Sequence, residues 1–272
     1  MRKPILFGLV LLPIVLVGIG CTPQASPCND LNEFELKGNV RSVAITGYEA
    51  IDMDGQIVKD KLWYSRTVTF DPNGRIQEIE QEGKDVYSYR SRSRTIKHYD
   101  SDGELGSREV ITYTAQGDIL SWTHYDANDT ILSQENYTYD SNNLCIKKEV
   151  YSPLNLNLIC RDYTYDQAGH CTSYMAYNLD GTPSYGWQCS YDSLGRVSCE
   201  EWLNTDGSVS GNSTFLYNEQ GFVAVEGTDN KYNNLHTYQY DEQGNWILKY
   251  TMYSGGYERP SYAIEERTIV YY

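Results

Sequence analysis

The chain lacks the motifs that mark metal centres and common catalytic sites. Its 7 cysteines contain no CxxC pair, which excludes the usual zinc signature. Its 4 histidines belong to no HExxH motif, and no nucleophile motif lies beside them. The sequence also places no two carboxylates so that they face each other across a cleft, as glycan hydrolysis requires. We therefore predict no catalytic residue, no metal and no cofactor.

Linkers and an excess of basic residues are absent as well. No long Pro/Gly-rich or Ser-rich stretch divides the chain, which favours one domain after the N-terminal segment. Lys and Arg total 22 against 37 Asp and Glu, and the net charge at pH 7 is −15. So acidic a surface argues against binding to nucleic acid or to an anionic membrane surface.

What the sequence does contain is a 26-residue repeat made of two turn-plus-strand halves. The halves begin at alternating spacings of 14 and 12 residues from Tyr99 to Tyr217. Most then carry Asp or Asn followed three residues later by Gly, as in Asp166–Gly169 and Asn178–Gly181. That pattern is typical of a type I turn closed by a glycine bulge, and the segments between turns have the Tyr, Thr, Val and Ile content of strands. The sequence thus predicts an all-β fold, a long antiparallel meander of β-hairpins.

The turn positions also predict which residues share a face of the sheet. If Asp166 pairs with His170, then Tyr165 faces Cys171, and the same step at the next turns aligns Cys171, Cys189 and Cys199 in one row. One face then becomes apolar and the other polar. To bury its apolar face the sheet must curl on itself, form two layers or meet a partner. We expect a curled single sheet or a partly closed barrel.

Three aromatic residues fall on the predicted outer, polar face: Trp122, Tyr174 and Trp202. An exposed aromatic ring there could stack on a sugar or anchor a protein, which makes these three the candidate ligand-binding residues. The alternative is that the curl of the sheet covers them.

The aligned cysteines have two interpretations. Export would permit a cross-strand disulfide between Cys171 and Cys189, or between Cys189 and Cys199. Alternatively all three fill an inner row as small apolar residues, because directly opposed positions strain a disulfide.

The N-terminus has the anatomy of an export signal. Arg2 and Lys3 precede the mostly apolar Pro4–Leu16, and small residues lead to Cys21, which resembles the lipobox of bacterial lipoproteins. The alternatives are cleavage at an ordinary signal-peptidase site and a retained transmembrane helix, although the apolar run is shorter than the ~20 residues that a span needs. We predict a signal peptide at 1–20, a lipid on Cys21 with a tether at 21–33, and the β-repeat domain at 34–272.

Two segments suggest a family. Tyr163–Gly169 (YTYDQAG) and Tyr238–Gly244 (YQYDEQG) share one pattern, which resembles the YD-repeat or RHS-repeat family of bacterial surface and secreted proteins over roughly Phe70 to Trp246. The resemblance implies an RHS-like curled shell of β-repeats and carbohydrate binding. Large members enclose a toxin domain, for which this chain is too short.

We therefore expect an exported, lipid-anchored protein of the bacterial cell envelope, on its periplasmic or cell-surface face. Its predicted role is a non-enzymatic binding module whose partner is a glycan or an envelope protein. It would contact the membrane through the lipid alone and would bind no nucleic acid. One alternative is an assembly protein that binds a partner through an unpaired sheet edge. A glycan-acting enzyme is the remaining alternative.

Overall fold

The structure, a computed structural model, describes residues 29–153, 158–228, 232–254 and 260–272. Within these ranges the chain forms one short 3₁₀-helix at Leu31–Phe34 and eighteen β-strands. No helix in the described ranges is long and apolar enough to cross a membrane. The strands are β1 (Val40–Met53), β2 (Gln56–Phe70), β3 (Ile76–Glu80), β4 (Lys84–Arg90), β5 (Ser93–Tyr99), β6 (Leu105–Tyr113), β7 (Ile119–Asp126), β8 (Ile131–Tyr139), β9 (Cys145–Tyr151), β10 (Leu158–Tyr165), β11 (Cys171–Asn178), β12 (Pro183–Tyr191), β13 (Val197–Leu203), β14 (Val209–Tyr217), β15 (Val223–Thr228), β16 (Tyr232–Tyr240), β17 (Trp246–Tyr253) and β18 (Ser261–Tyr271).

The strands form one closed antiparallel barrel. Each strand pairs with the next in sequence, and β1 also pairs with β18 from Val40 opposite Tyr271 to Ala50 opposite Tyr262. The predicted all-β meander is confirmed, and the curled sheet closes completely. Each of the strands in the described ranges has a partner on both sides, but the pairing is uneven in length: β3 pairs only with Thr67–Phe70 of β2, so residues 56–66 of β2 have no partner on that side. The predicted alternative, an assembly role through an unpaired sheet edge, therefore stays a prediction, and this stretch of β2 is where such an edge lies.

The predicted turns form as expected. At the turn after β10 the Asp166 N–H donates to the carbonyl of His170 (2.9 Å), and the Gly169 N–H donates to the carbonyl of Asp166 (3.1 Å). The Asp166 carboxylate caps the turn by accepting from the N–H groups of Ala168 and His170. Gly169 has a φ of +87°, a conformation that glycine adopts without strain. The same two backbone bonds close the turns that begin at Asp71, Asp100, Thr114, Asp126, Asp140, Asn178, Asp192, Asn204, Asn218 and Asp241.

A β-bulge follows each of these turns. After Tyr165 pairs with Cys171, Thr164 pairs with Ser173, so Thr172 is left as the extra residue of the second strand. The bulge shifts the register by one residue and makes the predicted cysteine row wrong. The partner of Cys189 is Glu200 rather than Cys199, and Cys199 instead pairs with Ser190.

The shift also changes the face assigned to the three candidate aromatic residues. Directly opposed residues of antiparallel strands share a face. Tyr174 pairs with Trp187, and Trp187 pairs with Trp202. Because Trp187 packs in a buried cluster with Cys171 and Cys189, both of its partners lie on the inner face of the barrel. Trp122 pairs with the buried Ile111 and is also on the inner face. The predicted outer placement of Trp122, Tyr174 and Trp202 was wrong.

Cys189 and Cys199 form no disulfide. Cys171 and Cys189 are buried beside Trp187, in accord with their interpretation as small apolar residues. Cys199 lies on the opposite face of β13, since it pairs with Ser190 rather than with Cys189. The structure therefore contains neither of the two disulfides that the row of cysteines suggested.

One end of the barrel, which we call the packed end, is filled by side chains. It carries the turns after the even-numbered strands, together with the start of β1 and the end of β18. Tyrosine hydroxyls at this end donate to backbone carbonyls 20 residues earlier, as Tyr165 does to Cys145 and Tyr191 to Cys171. These bonds link neighbouring strands, β10 to β9 and β12 to β11, and so tie each turn at this end to the turn before it. The inner residues buried beside these turns include Phe70, Ile76, Cys145, Cys171, Phe222 and Trp246.

The segment before β1 also packs into this end. Asp30 is buried and accepts hydrogen bonds from the Ile76 N–H (2.8 Å) and from the Tyr89 hydroxyl (2.5 Å). Leu31 and Phe34 join the apolar cluster at the ends of β1 and β2. Residues 29–33 of the predicted tether at 21–33 are therefore part of the folded structure. The predicted signal peptide and Cys21 lie outside the described residues.

Replacing Tyr191 by phenylalanine should lower the free energy of unfolding by about 1 kcal/mol, because the hydroxyl donates to the Cys171 carbonyl at 2.7 Å. Urea denaturation followed by circular dichroism measures the change. Tyr48→Phe is the matched control, since Tyr48 lies on the other face and its ring contacts Lys59 at 4.6 Å. Equal losses in both variants would show that the hydroxyl bond at the packed end contributes nothing of its own.

Candidate functional site

The interior is open to solvent at the end opposite the packed end. Trp202 and Tyr185 are each 42% exposed, although both point inward. Their inward direction follows from their register partners, Trp187 and Ala176, which are buried on the inner face. Exposed side chains on the inner face of a closed sheet require an opening, and both residues lie near the strand ends away from the packed end. The site is thus a cavity inside the barrel that is open at one end, and Trp202 and Tyr185 form the rim of the opening.

Four aromatic side chains continue from this rim into the interior across β10 to β13, and we call them the aromatic run: Tyr163, Tyr174, Trp187 and Trp202. The ring centroids of Tyr163 and Tyr174 are 5.4 Å apart. Those of Tyr174 and Trp187 are 5.7 Å apart, with the planes at 23°. Such offset stacking holds each ring in a fixed orientation. Trp187 at the centre of the run is buried, and the run ends at the half-exposed indole of Trp202, its register partner.

Two carboxylates lie on the inner face beside the aromatic run. Glu200 pairs with the buried Cys189 and precedes Trp202 by two residues on β13. Glu226 on β15 pairs with Phe215 and accepts a hydrogen bond from the Asn234 side chain at 3.4 Å. Burial raises the pKa of Glu200, and the nearby charge of Glu226 raises it further. These groups supply polar partners for the hydroxyls of a ligand next to an apolar surface.

Trp122 belongs to a different sector of the interior. It lies on β7, and its indole N–H donates to Glu109 at 2.8 Å. The His98 ring lies between two carboxylates, with Nδ1 2.7 Å from Asp85 and Nε2 3.4 Å from Glu109. Hydrogen bonding to Asp85, and then to Glu109, raises the pKa of His98 to about 9. Trp122 is therefore engaged in a polar network on β4 to β7 and is not part of the aromatic run.

The His98 network should make the protein less stable as the pH rises. Because the pKa of His98 is about 9 in the folded state and about 6.5 when unfolded, its contribution is complete below pH 6.5 and is lost as the pH rises to 9. Allowing for solvent screening of a partly exposed pair, we expect a loss of about 1–2 kcal/mol between pH 6.5 and 9.5. Urea midpoints across this range measure it. His98→Gln should flatten the profile, and an unchanged slope in that variant would refute the assignment.

The sequence named part of this site and missed the rest. The structure brings Tyr174 and Trp202 together, joins them through Trp187, and leaves Trp122 apart. Trp187 was missed because the sequence placed it on the buried face, whereas candidate ligand-binding residues were sought on the outer face. Adding one bulge residue after the turn at Asn178 would have aligned Tyr174 with Trp187 from spacing alone. Throughout the described ranges, no group of three or more His, Cys, Asp or Glu side chains is arranged to hold a metal ion.

Comparison with known proteins bears on the fold. No protein-family model matches the chain. No curated protein matches it either. Among solved structures, a porin-like protein from Bacteroides uniformis is similar over 85% of this chain and 96% of its own, with a TM-score of 0.51 and 12% identity.

Two further structures are less similar. A porin-like protein from Bacteroides vulgatus matches 86% of this chain and 98% of its own, with a TM-score of 0.32 and 12% identity. The Tc holotoxin pore from Photorhabdus luminescens matches 77% of this chain and 14% of its own, with a TM-score of 0.35 and 12% identity. The Bacteroides uniformis structure thus shows a shared barrel fold, and the other two are too dissimilar to add to it.

Proposed function

We propose that the protein is a non-enzymatic binding protein of the bacterial cell envelope that holds a glycan against the aromatic run inside its barrel. The observation that carries the proposal is the half-exposed, inward-facing Trp202, which continues the stacked Tyr174 and Trp187. An indole that remains solvent-exposed inside a closed barrel is available to a ligand that enters through the open end.

The chemistry of the run suits a sugar. Pyranose rings present a flat C–H face that packs on aromatic rings, and their hydroxyls hydrogen-bond to neighbouring polar side chains. Glu200 and the Glu226–Asn234 pair lie on the same inner face as the run. A site with one large apolar surface and a few polar groups is the usual form of a small-molecule site.

The proposed location rests on the N-terminus and on the fold. A basic start, an apolar run and small residues before Cys21 are typical of an exported lipoprotein. The barrel shared with a porin-like protein supports an envelope location. We propose that Cys21 carries a lipid and that the short segment before Asn29 connects it to the packed end.

Tryptophan fluorescence tests the proposal. The protein with Cys21→Ser, purified without its signal, is titrated with a panel of envelope and dietary polysaccharides. We expect a saturable shift with at least one glycan and about tenfold weaker binding for Trp202→Ala, which removes one stacking surface. Trp63→Ala is the matched control, because Trp63 is similarly exposed, at 47%, but lies on β2, away from the run.

Absence of a shift with every glycan would refute glycan binding and direct the search to a protein partner. If Trp63→Ala weakens glycan binding as much as Trp202→Ala does, the protein binds glycans but the aromatic run is not their binding site.

A further inference from the structure

Two arginines face the interior on the side of the barrel away from the aromatic run. Arg66 on β2 and Arg267 on β18 are both register partners of Ile45 on β1. Because Ile45 is buried in the apolar cluster of the packed end, both arginines lie on the inner face. They flank Ile45, one on each side, and both remain partly exposed.

Each guanidinium is held against an aromatic ring. The central carbon of the Arg267 guanidinium lies 3.4 Å from the ring centroid of Trp246. That of Arg66 lies 5.5 Å from the ring centroid of Phe34. Stacking of this kind fixes the plane of a guanidinium but leaves the N–H groups at its edge available for hydrogen bonds.

Three of those edge donors have no acceptor. Nε and Nη1 of Arg267 and Nε of Arg66 are buried and have no hydrogen-bond partner in the described part of the chain. Buried polar groups are satisfied in the great majority of cases, so each exception calls for a physical reason. Here three exceptions fall on two neighbouring side chains of the same charge.

The neighbouring carboxylates do not supply the missing acceptors. Glu35 accepts the indole N–H of Trp246 at 3.1 Å, and Glu265 lies 3.9 Å from the ammonium of Lys249. Burial lowers the pKa of Arg267 to about 10, and the charge of Arg66 acts in the same direction. The sector thus contains Arg66, Arg267 and Lys249 against the carboxylates of Glu35 and Glu265, and neither carboxylate accepts a hydrogen bond from the three buried donors.

We propose that Arg66 and Arg267 form a binding site for an oxyanion, meaning a carboxylate, sulfate or phosphate group, on the inner face beside Ile45. The planar N–H edge of arginine matches two oxygens of such a group, and two guanidiniums surround it from both sides. An oxyanion that enters from the interior and reaches these edges would supply the acceptors that the buried N–H groups lack.

This site is independent of the proposed glycan site. The arginines are on β2 and β18, whereas the aromatic run is on β10 to β13, and the ring of strands separates the two sectors. Trp202→Ala should leave anion binding unchanged, and Arg267→Gln should leave the binding of neutral glycans unchanged. Failure of one proposal is therefore distinguishable from failure of the other.

Isothermal titration calorimetry of the protein with inorganic phosphate, sulfate and glucuronate, each at constant ionic strength in chloride, tests the proposal. We expect saturable binding of at least one anion, and about tenfold weaker binding in Arg66→Gln and in Arg267→Gln. Arg41→Gln is the matched control, because Arg41 is an exposed residue of β1. Binding of glucuronate alone would identify a sugar acid as the source of the oxyanion, and binding of phosphate or sulfate alone would identify a tetrahedral group.

The fluorescence of Trp246 gives a second test, which does not depend on whether the arginine variants fold. Because Arg267 lies directly on its ring, anion binding should change the fluorescence of the wild-type protein, and Trp246→Phe should abolish that change. The proposal is overturned if the wild-type protein binds none of the three anions saturably. It is equally overturned if the two glutamine variants, when folded, bind as tightly as Arg41→Gln.

Discussion

Replacing Phe70 by alanine should lower the free energy of unfolding by about 4 kcal/mol, the largest loss that we expect from a single core truncation. Phe70 is 1% exposed at the end of β2, and its ring meets that of Phe34 edge to face at a centroid distance of 5.9 Å. The truncation removes a buried aromatic side chain and leaves a cavity between the barrel wall and the segment before β1. Urea or guanidinium denaturation followed by circular dichroism measures the loss.

Two further variants serve as controls for the loss in Phe70→Ala. Leu216→Ala removes a side chain of comparable apolar character that is 64% exposed, and its effect should stay within about 0.5 kcal/mol. Phe70→Leu keeps most of the apolar volume and should fall between the other two. If Phe70→Ala costs no more than Leu216→Ala, the packed end does not hold the barrel together.

Replacing Asn245 by alanine should cost about 3 kcal/mol, because one fully buried side chain joins three parts of the chain. Its Oδ1 accepts the N–H of Lys37 at 2.6 Å, and its Nδ2 donates to the Lys37 carbonyl at 2.9 Å and to the Tyr271 hydroxyl at 2.7 Å. Truncation removes these bonds and leaves the backbone groups of Lys37 without their partners. Denaturation measured at neutral pH gives the loss.

Asn142→Ala is the control for this position, since Asn142 is an exposed turn residue whose side chain should contribute little. Asn245→Asp should be at least as harmful as alanine at neutral pH. It removes the two Nδ2 donors and places a buried charge close to Asp241, which accepts the Tyr271 hydroxyl bond. A loss below about 1 kcal/mol in both Asn245 variants would show that the link to Lys37 does not stabilise the fold.

The hairpins were predictable because their determinants are local. Asp166 and Gly169 form their turn through contacts within five residues, and residue types alone reveal that chemistry. The bulge that follows has no such signature: the extra residue is Thr172 in one hairpin and Ile146 in another. A register error of one residue reverses every later face assignment. That is why the turns were predicted correctly while the cysteine row was not.

The site was harder to predict for two reasons: the same register error, and the presence of charged residues inside the barrel. Tyr174 and Trp202 were recognised as aromatic exceptions in a polar pattern, but only the pairing with Trp187 shows that they point inward. The sequence also could not reveal that the inner face carries buried charges such as His98 and Arg267, because a wide barrel solvates part of its interior. Alternation of polar and apolar residues distinguishes two faces but does not say which face encloses water.

The pairing of β1 with β18 has a consequence for how the chain reaches its native state. Every other strand pairs with its neighbour in sequence, so the meander can assemble by short loop closures in any order. The seam joins residue 40 to residue 271 and can form only after the intervening strands have curved far enough to meet. Until then both β1 and β18 expose unpaired edges that could recruit other chains. Formation of this seam should therefore be the late step of folding and the step during which aggregation competes most strongly.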